Sequence, residues 1–126
     1  MTPSDVVRKF WAAIAARDWA GMADLLHPDV VVEWPASGER IVGRDNVVAV
    51  NREYPEGWAI DVLTVIGTDD EVAVSEVEVP HHGLGVFRAA SFWTVRDGLI
   101  VWGREYWIGV GAEEPPAWRL PYVERV

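Results

Sequence analysis

The sequence predicts an α+β domain in which helices come first and a curved antiparallel sheet follows. Apolar residues recur at helical spacing in the first half of the chain, whereas the later apolar segments alternate as strands do. The segment from Val86 to Ile108 predicts a central hairpin, because Asp97-Gly98 between β-branched and aromatic residues is a strong hairpin signal. A sheet that bends around helices leaves a hollow, and such hollows hold ligands.

Three helices are predicted before residue 54. Thr2 or Ser4 caps the first helix, because a hydroxyl there accepts from backbone N–H groups of the opening turn. The second, shorter helix begins at Asp18, and the third runs from a cap at Asp45 to about Glu53. The apolar side of the first helix is formed by Val6, Val7, Phe10, Trp11, Ile14 and Ala15.

The predicted strands alternate with turn-forming sequences. Besides the two arms of the hairpin, strands are predicted from Val30 to Pro35, from Trp58 to Ile66 and from Glu71 to Val79. Three prolines after Ile108 predict an irregular tail over residues 109–126. Because 126 residues suit one hydrophobic core, we expect residues 1–126 to form a single domain.

Composition argues against several kinds of partner. The formal net charge of −9 disfavours nucleic acid and anionic membranes, which select for Lys and Arg. The chain has no cysteine, so disulfides and thiol chemistry are excluded. No apolar run approaches the ~20 residues of a membrane span, and the first residues lack an apolar signal core. We therefore expect a cytoplasmic protein.

Eight tryptophans in so short a chain predict an aromatic cavity or interface. A single aromatic residue is more often core packing, but five around one hollow favour a pocket for a small hydrophobic molecule. By alternation, Ser91 lies on the same side as Phe87 and Trp93 and is placed to supply a hydrogen bond there. The candidate ligand-binding residues are Trp34, Tyr54, Trp58, Phe87, Ser91, Trp93 and Trp107.

Glu105 is the main catalytic candidate, because a carboxylate in the middle of an apolar strand needs a specific reason. Alternation places it on one face with Val101, Gly103 and Trp107. In an aromatic pocket, desolvation would raise the pKa of Glu105 and allow proton exchange near neutrality. The structural alternative is an ion pair with Arg52, with Arg104 of the partner subunit in a dimer or with another basic side chain, which would lower that pKa.

Glu76 and Glu78 are further catalytic candidates on the preceding strand. Two residues apart, they share one face, and if that face lines the pocket they meet Glu105 there. If Val77 and Val79 point inward instead, the two glutamates lie on the solvent side of the sheet. The sequence favours neither register.

No metal or other cofactor is expected. His81 and His82 are adjacent, so in a strand their side chains would point apart, and no further ligands follow at a regular spacing. We expect both histidines in a loop at the rim of the pocket.

The chain resembles the SnoaL-like members of the nuclear transport factor 2 superfamily. The resemblance lies in Ala-Arg-Asp-Trp after the first helix, then in LLHPDVVVEWP, GRDNV and RDGLIVWGREYW. It implies a cone of curved sheet around three helices, a deep pocket and, in many members, a dimer. Members include polyketide cyclases, ketosteroid isomerases, limonene epoxide hydrolases and dehydratases, so the resemblance implies a fold more firmly than a reaction.

The residues at the catalytic positions of these relatives limit the reactions that the resemblance implies for this chain. Phe10, Trp34 and Ser91 stand where ketosteroid isomerases carry a Tyr, the Asp base and a second acid, so we do not expect that isomerase. Glu105 matches an Asp of limonene epoxide hydrolases, but Glu76 stands where those enzymes need an Arg. A SnoaL-type reaction needs only one placed carboxylate, and it stays open.

Three functions remain from the sequence. The first is a pocket enzyme that transfers a proton on a hydrophobic, carbonyl-bearing molecule through Glu105. The second is a protein that binds such a molecule without turning it over. The third is a structural dimer that uses apolar sheet faces with residues such as Trp102 and Tyr106, and a homodimer is expected in every case.

Overall fold

A six-stranded curved sheet carries three helices on its concave side in the computed structural model, which describes residues 1–68 and 70–126. The helices are α1 (Pro3–Ala15), α2 (Trp19–Ala23) and α3 (Arg44–Arg52). The strands are β1 (Leu26–Trp34), β2 (Glu39–Val42), β3 (Asp61–Gly67), β4 (Val72–His81), β5 (Gly85–Arg96) and β6 (Leu99–Gly109). The tail contains one 3₁₀ helix, Ala117–Tyr122.

The sheet has the order β2-β1-β6-β5-β4-β3, and it corrects the expected topology in two places. β1 pairs with β6 in parallel, although every strand was expected to be antiparallel. β2, which the sequence analysis did not predict, pairs with β1 across the turn after Trp34. The parallel pair is possible because helix α3 and four other strands separate β1 from β6 along the chain, so no hairpin fixes their direction.

The central hairpin forms as predicted. Asp97 and Gly98 have φ values of 51° and 76°, the left-handed conformation that a two-residue hairpin turn requires. β5 ends at Arg96 and β6 begins at Leu99. A register shift after the turn makes Ile100 fully buried and leaves Val101 half-buried. Val101 was expected on the inward face with Glu105, and this expectation is wrong.

The core lies where α1 packs against the middle of the sheet. Thr2 and Asp5 cap α1 reciprocally, and Pro3 occupies its first turn, where its missing N–H costs nothing. Inside the core, the indole N–H groups of Trp11 and Trp93 both donate to the Ser75 hydroxyl, at 3.0 and 2.9 Å. This hydrogen-bonded cluster joins α1 to β4 and β5 on the concave face of the sheet.

Gly103 of β6 makes room for Trp93. A Cβ at residue 103 would lie 2.5 Å from the Trp93 ring, a contact too short for any real side chain. The large indole therefore lies across the strand itself, and α1 closes over it through Phe10.

No helix among the described residues is long and apolar enough to cross a membrane. The tail is irregular apart from its 3₁₀ helix, and its largest side chain, Trp118, is 74% exposed.

Candidate functional site

A cavity of about 510 Å³ lies between the concave face of the sheet and helices α1 and α3. Aromatic and aliphatic side chains form nearly all of its lining, and Glu105 is the one charged residue among the described residues that line it. Its aromatic lining residues are Trp11, Trp34, Tyr54, Trp58, Phe87 and Trp107. A cavity of this size and lining suits a small hydrophobic molecule.

Glu105 reaches the cavity through the alternation of β6. Gly103 and Glu105 are buried, whereas Tyr106 is exposed on the other face, as the period of two requires. Ser91 lies directly opposite Glu105 on β5, and Trp34 approaches from β1 on the other side. Three neighbouring strands thus surround Glu105, and the residue is only 6% exposed.

Two side chains hold the Glu105 carboxyl. The Trp34 indole N–H donates to Oε1 at 3.1 Å, and the Ser91 hydroxyl donates to Oε2 at 2.8 Å. An indole can only donate, so Oε1 is always an acceptor, whereas a hydroxyl can donate or accept. The Ser91 side can therefore accommodate Oε2 with or without a proton, and the site can hold Glu105 in both protonation states.

Burial raises the pKa of Glu105 above its ordinary value, and the hydrogen bonds from Trp34 and Ser91, with the nearby Trp107 indole, only partly oppose it. No ion pair reaches this carboxyl among the described residues. Arg52 bonds instead to Glu53 at the surface, at 3.3 Å. The direction of the shift agrees with the expectation for a pocket residue, and the alternative of an Arg52 ion pair is wrong.

Most of the predicted lining residues lie together. Trp34, Tyr54, Trp58, Phe87 and Trp107 all line the cavity. Ser91, which was expected to line the pocket and bond to a ligand, is instead completely buried and does not line the cavity. Its hydroxyl donates to the Glu105 carboxyl, because the two residues lie opposite each other on β5 and β6.

Trp93 is a correction to the expected lining. It is 1% exposed and packs edge to face against Phe10 and Trp11, with its indole N–H bonded to Ser75. Because Gly103 lets the ring lie flat across β6, Trp93 fills the core beneath the cavity and does not line it.

Glu76 and Glu78 do not reach the cavity, so these two catalytic candidates are wrong, and of the two registers left open the one that would bring them to Glu105 is not observed. Val77 and Val79 of β4 point inward and are buried, which puts the two glutamates on the outer face. Glu78 bonds there to Arg88 of β5, at 3.0 Å. The inward valines bury apolar surface against the helices, and this gain fixes the register.

His81 also differs from its expected position at the rim. It is the buried last residue of β4, and its Nε2 lies 3.0 Å from the Pro55 carbonyl oxygen. His82 follows in the turn. The described residues contain no group of three or more His, Cys, Asp or Glu that could hold a metal ion.

The segment between α3 and β3 closes one side of the cavity, and the sequence analysis missed what holds it. The Arg17 guanidinium lies 3.3 Å from the centre of the Trp58 ring and donates to the Trp58 carbonyl oxygen at 2.6 Å. It also pairs with Glu56 at 2.7 Å. Arg17 belongs to the connection between α1 and α2, so only the fold could bring it to Trp58.

Comparisons with known proteins agree with this architecture. The family model of the SnoaL-like domain matches residues 7–102. A protein from Kribbella flavida DSM 17836, provisionally named a ketosteroid isomerase, is 32% identical, with a TM-score of 0.88 over 98% of this chain and 89% of its own.

Two further solved structures resemble the chain. An NTF2-like protein of unknown function from Burkholderia xenovorans LB400 is 26% identical, with a TM-score of 0.79 over 98% of this chain and 94% of its own. An LEH-like epoxide hydrolase from M. tuberculosis is 22% identical, with a TM-score of 0.71 over 84% of this chain and 82% of its own, and supports the fold alone. The comparison with curated proteins finds no match.

Proposed function

This chain belongs to the SnoaL-like domain family, and on that basis we propose that its cavity binds a small hydrophobic metabolite with which Glu105 exchanges protons. One observation carries the proposal. Glu105 is the one charged side chain in an aromatic lining, desolvated and without a basic partner among the described residues. A structural glutamate would be paired or solvated, whereas a proton-transfer group needs this kind of environment.

A single carboxylate is sufficient for the reaction. Ionised Glu105 takes a proton from a carbon next to a carbonyl. The electron pair of the broken C–H bond forms a C=C bond, and the carbonyl π pair moves onto oxygen to give an enolate. The protonated Glu105 then returns the proton to the same or a conjugated carbon, so no co-reactant is consumed. Desolvation makes Glu105 a stronger base than a solvated glutamate, and the aromatic lining keeps water from competing for the enolate.

Of these relatives, the Kribbella flavida protein supports the reaction class by its provisional name, and the M. tuberculosis protein supports the fold alone. The Kribbella flavida protein carries a provisional isomerase name, and the M. tuberculosis protein is a hydrolase on the same fold. In this chain Phe10 is core and Trp34 is a hydrogen-bond donor to Glu105, so neither can serve as an acid or a base. The reaction would therefore be centred on β6, at Glu105.

Non-catalytic binding is the alternative, favoured by the fact that both carboxyl oxygens already have partners in Trp34 and Ser91. Exchange of the α-protons of 2-tetralone, a hydrophobic ketone, into D₂O separates the two functions. Exchange above the buffer rate, followed by NMR, supports proton transfer. A ketone that binds in the cavity and exchanges only at the buffer rate supports the binding protein.

We also propose a homodimer formed through the outer face of the sheet. Phe92, Tyr106 and Ile108 are 36%, 42% and 58% exposed there, and Arg104 lies among aromatic rings with a buried Nε that has no hydrogen-bond partner among the described residues. Exposed apolar and aromatic side chains that cluster on one sheet face are typical of a protein–protein interface. We expect light scattering at micromolar concentration to give twice the 14.1 kDa chain mass.

A charge placed in this outer face should break the dimer. Tyr106→Glu is expected to give a monomer, whereas Tyr122→Glu in the exposed tail should still give the dimer mass by light scattering. A monomeric wild-type protein under the same conditions would contradict the dimer.

A further inference from the structure

Two indole N–H groups beside the cavity have no hydrogen-bond partner among the described residues. They belong to Trp58 and Trp107, and both nitrogen atoms are buried. The other two cavity indoles, Trp11 and Trp34, donate to Ser75 and Glu105. Buried donors are seldom left unpaired, because each loses its hydrogen bond to water on folding. Neither donor has an acceptor in hydrogen-bonding geometry among the described residues, so an acceptor oxygen of a ligand would satisfy them.

We propose that the indole N–H of Trp107 binds the carbonyl oxygen of the ligand beside Glu105, an inference that rests on the proposed proton transfer. Trp107 follows Glu105 by two residues, so both side chains project from the same face of β6 into the cavity. The Trp107 indole lies close enough to the carboxyl to favour its ionised form, although the two make no hydrogen bond. One donor and one base thus lie side by side.

This placement fits the chemistry of a ketone. With its oxygen on Trp107, the adjacent carbon of the ketone lies toward Glu105, which removes the proton. The electron pair of the C–H bond forms the C=C bond of the enolate, the π pair of the carbonyl moves onto its oxygen, and the Trp107 N–H bonds more strongly to that oxygen. No Lys or Arg lines the cavity among the described residues, so the developing charge depends on neutral donors.

The same reasoning defines the class of ligand. It is an uncharged, hydrophobic ketone, because a carboxylate or phosphate would meet the Glu105 charge and find no cation in the described lining. A second acceptor oxygen on the ligand would satisfy Trp58. The Trp58 ring is held in place by the stacked Arg17 guanidinium, so its N–H has a fixed direction.

The test compares 2-tetralone with tetralin, which lacks only the carbonyl oxygen. In Trp107→Phe the aromatic ring stays and the N–H is lost, so we expect about fivefold weaker binding of 2-tetralone, as for one hydrogen bond, with tetralin unchanged. Exchange of the ketone protons should fall by about tenfold or more. Trp118→Phe in the exposed tail removes an indole far from the site and should change neither quantity.

A second measurement uses the wild-type protein alone and does not depend on the folding of a variant. The infrared C=O stretch of bound 2-tetralone should lie below its value in cyclohexane, as for a hydrogen-bonded carbonyl. An unshifted stretch would overturn the inference, and so would an equal loss of 2-tetralone and tetralin binding in Trp107→Phe. If the wild type exchanges ketone protons and Trp107→Phe does so equally well, the inference fails while the proposed function stands.

The converse outcome is also distinguishable. If the wild type binds 2-tetralone through Trp107 but exchanges its protons only at the buffer rate, recognition of the carbonyl stands and the proton transfer fails. If neither molecule enters the cavity, both proposals are overturned.

Discussion

Glu105→Gln is expected to lower the enzyme-catalysed exchange of 2-tetralone protons by about 10²- to 10⁴-fold, the contribution typical of a positioned acid–base group. The amide keeps the shape of the carboxyl and can still accept from Trp34 and bond to Ser91. It cannot take a proton. Binding of 2-tetralone should therefore change little, and NMR exchange rates at saturating ketone measure the loss directly.

Glu76→Gln is the matched control for this variant. Glu76 lies on the outer face of β4, so the same change of one carboxyl to an amide should leave the exchange rate unaltered. Equal exchange rates in Glu105→Gln and the wild type would show that another group, or the buffer, moves the proton.

Trp93→Ala is expected to lower the free energy of unfolding by about 3–5 kcal/mol, the usual cost of truncating a buried large aromatic residue. The indole is fully enclosed by α1 and the sheet, and its loss would leave Phe10, Trp11 and Ser75 without their shared neighbour. Urea denaturation followed by circular dichroism gives the value. A cost below about 1 kcal/mol would contradict the central position of this residue.

Gly103→Ala tests the same contact from the opposite side. The added methyl would meet the Trp93 ring at 2.5 Å, so we expect a loss of about 1–3 kcal/mol in the wild-type background. In the Trp93→Ala background the methyl meets empty space, and most of that loss should disappear. Gly109→Ala on the same strand, where the new methyl would meet the Ala112 side chain and no aromatic ring more closely than 3.8 Å, is the control.

Local sequence signals predicted the parts of the fold that depend on neighbouring residues. The Asp97-Gly98 turn fixes the hairpin, and the hairpin places Ser91 opposite Glu105, so the site on β6 could be found from alternation. In β6 the predicted alternation holds from Gly103 onward, beyond the bulge near the turn. Between the turn and the bulge, Ile100 lies on the inner face in place of Val101, because a bulge shifts the alternation by one residue and no sequence signal predicts it.

The features that depend on distant residues could not be predicted. The sequence left the register of β4 open, because glutamates alternate with valines and either set could face the helices; burial against α1 decided it. The Arg17–Trp58 stack joins the connection between α1 and α2 to the segment before β3, and no local sequence pattern predicts such a contact. Trp93 could be placed on the inner face but not beneath the cavity, since that depends on Gly103 across the strand pair.

The chemical state of Glu105 is the property from which the proposed function follows. Desolvation without a cationic partner raises its pKa, whereas an ion pair would lower it. A raised pKa keeps the carboxyl protonated to a higher pH than an ordinary glutamate and makes it a stronger base once it ionises.

The most direct measurement is a pH titration of the Glu105 side-chain carboxyl by ¹³C NMR, on protein labelled at glutamate, with Glu105→Gln used to identify the signal. We expect a midpoint clearly above the ordinary glutamate value of 4.5. A Glu105 midpoint at or below 4.5 would mean a paired or solvated carboxylate, and it would contradict proton transfer by this residue.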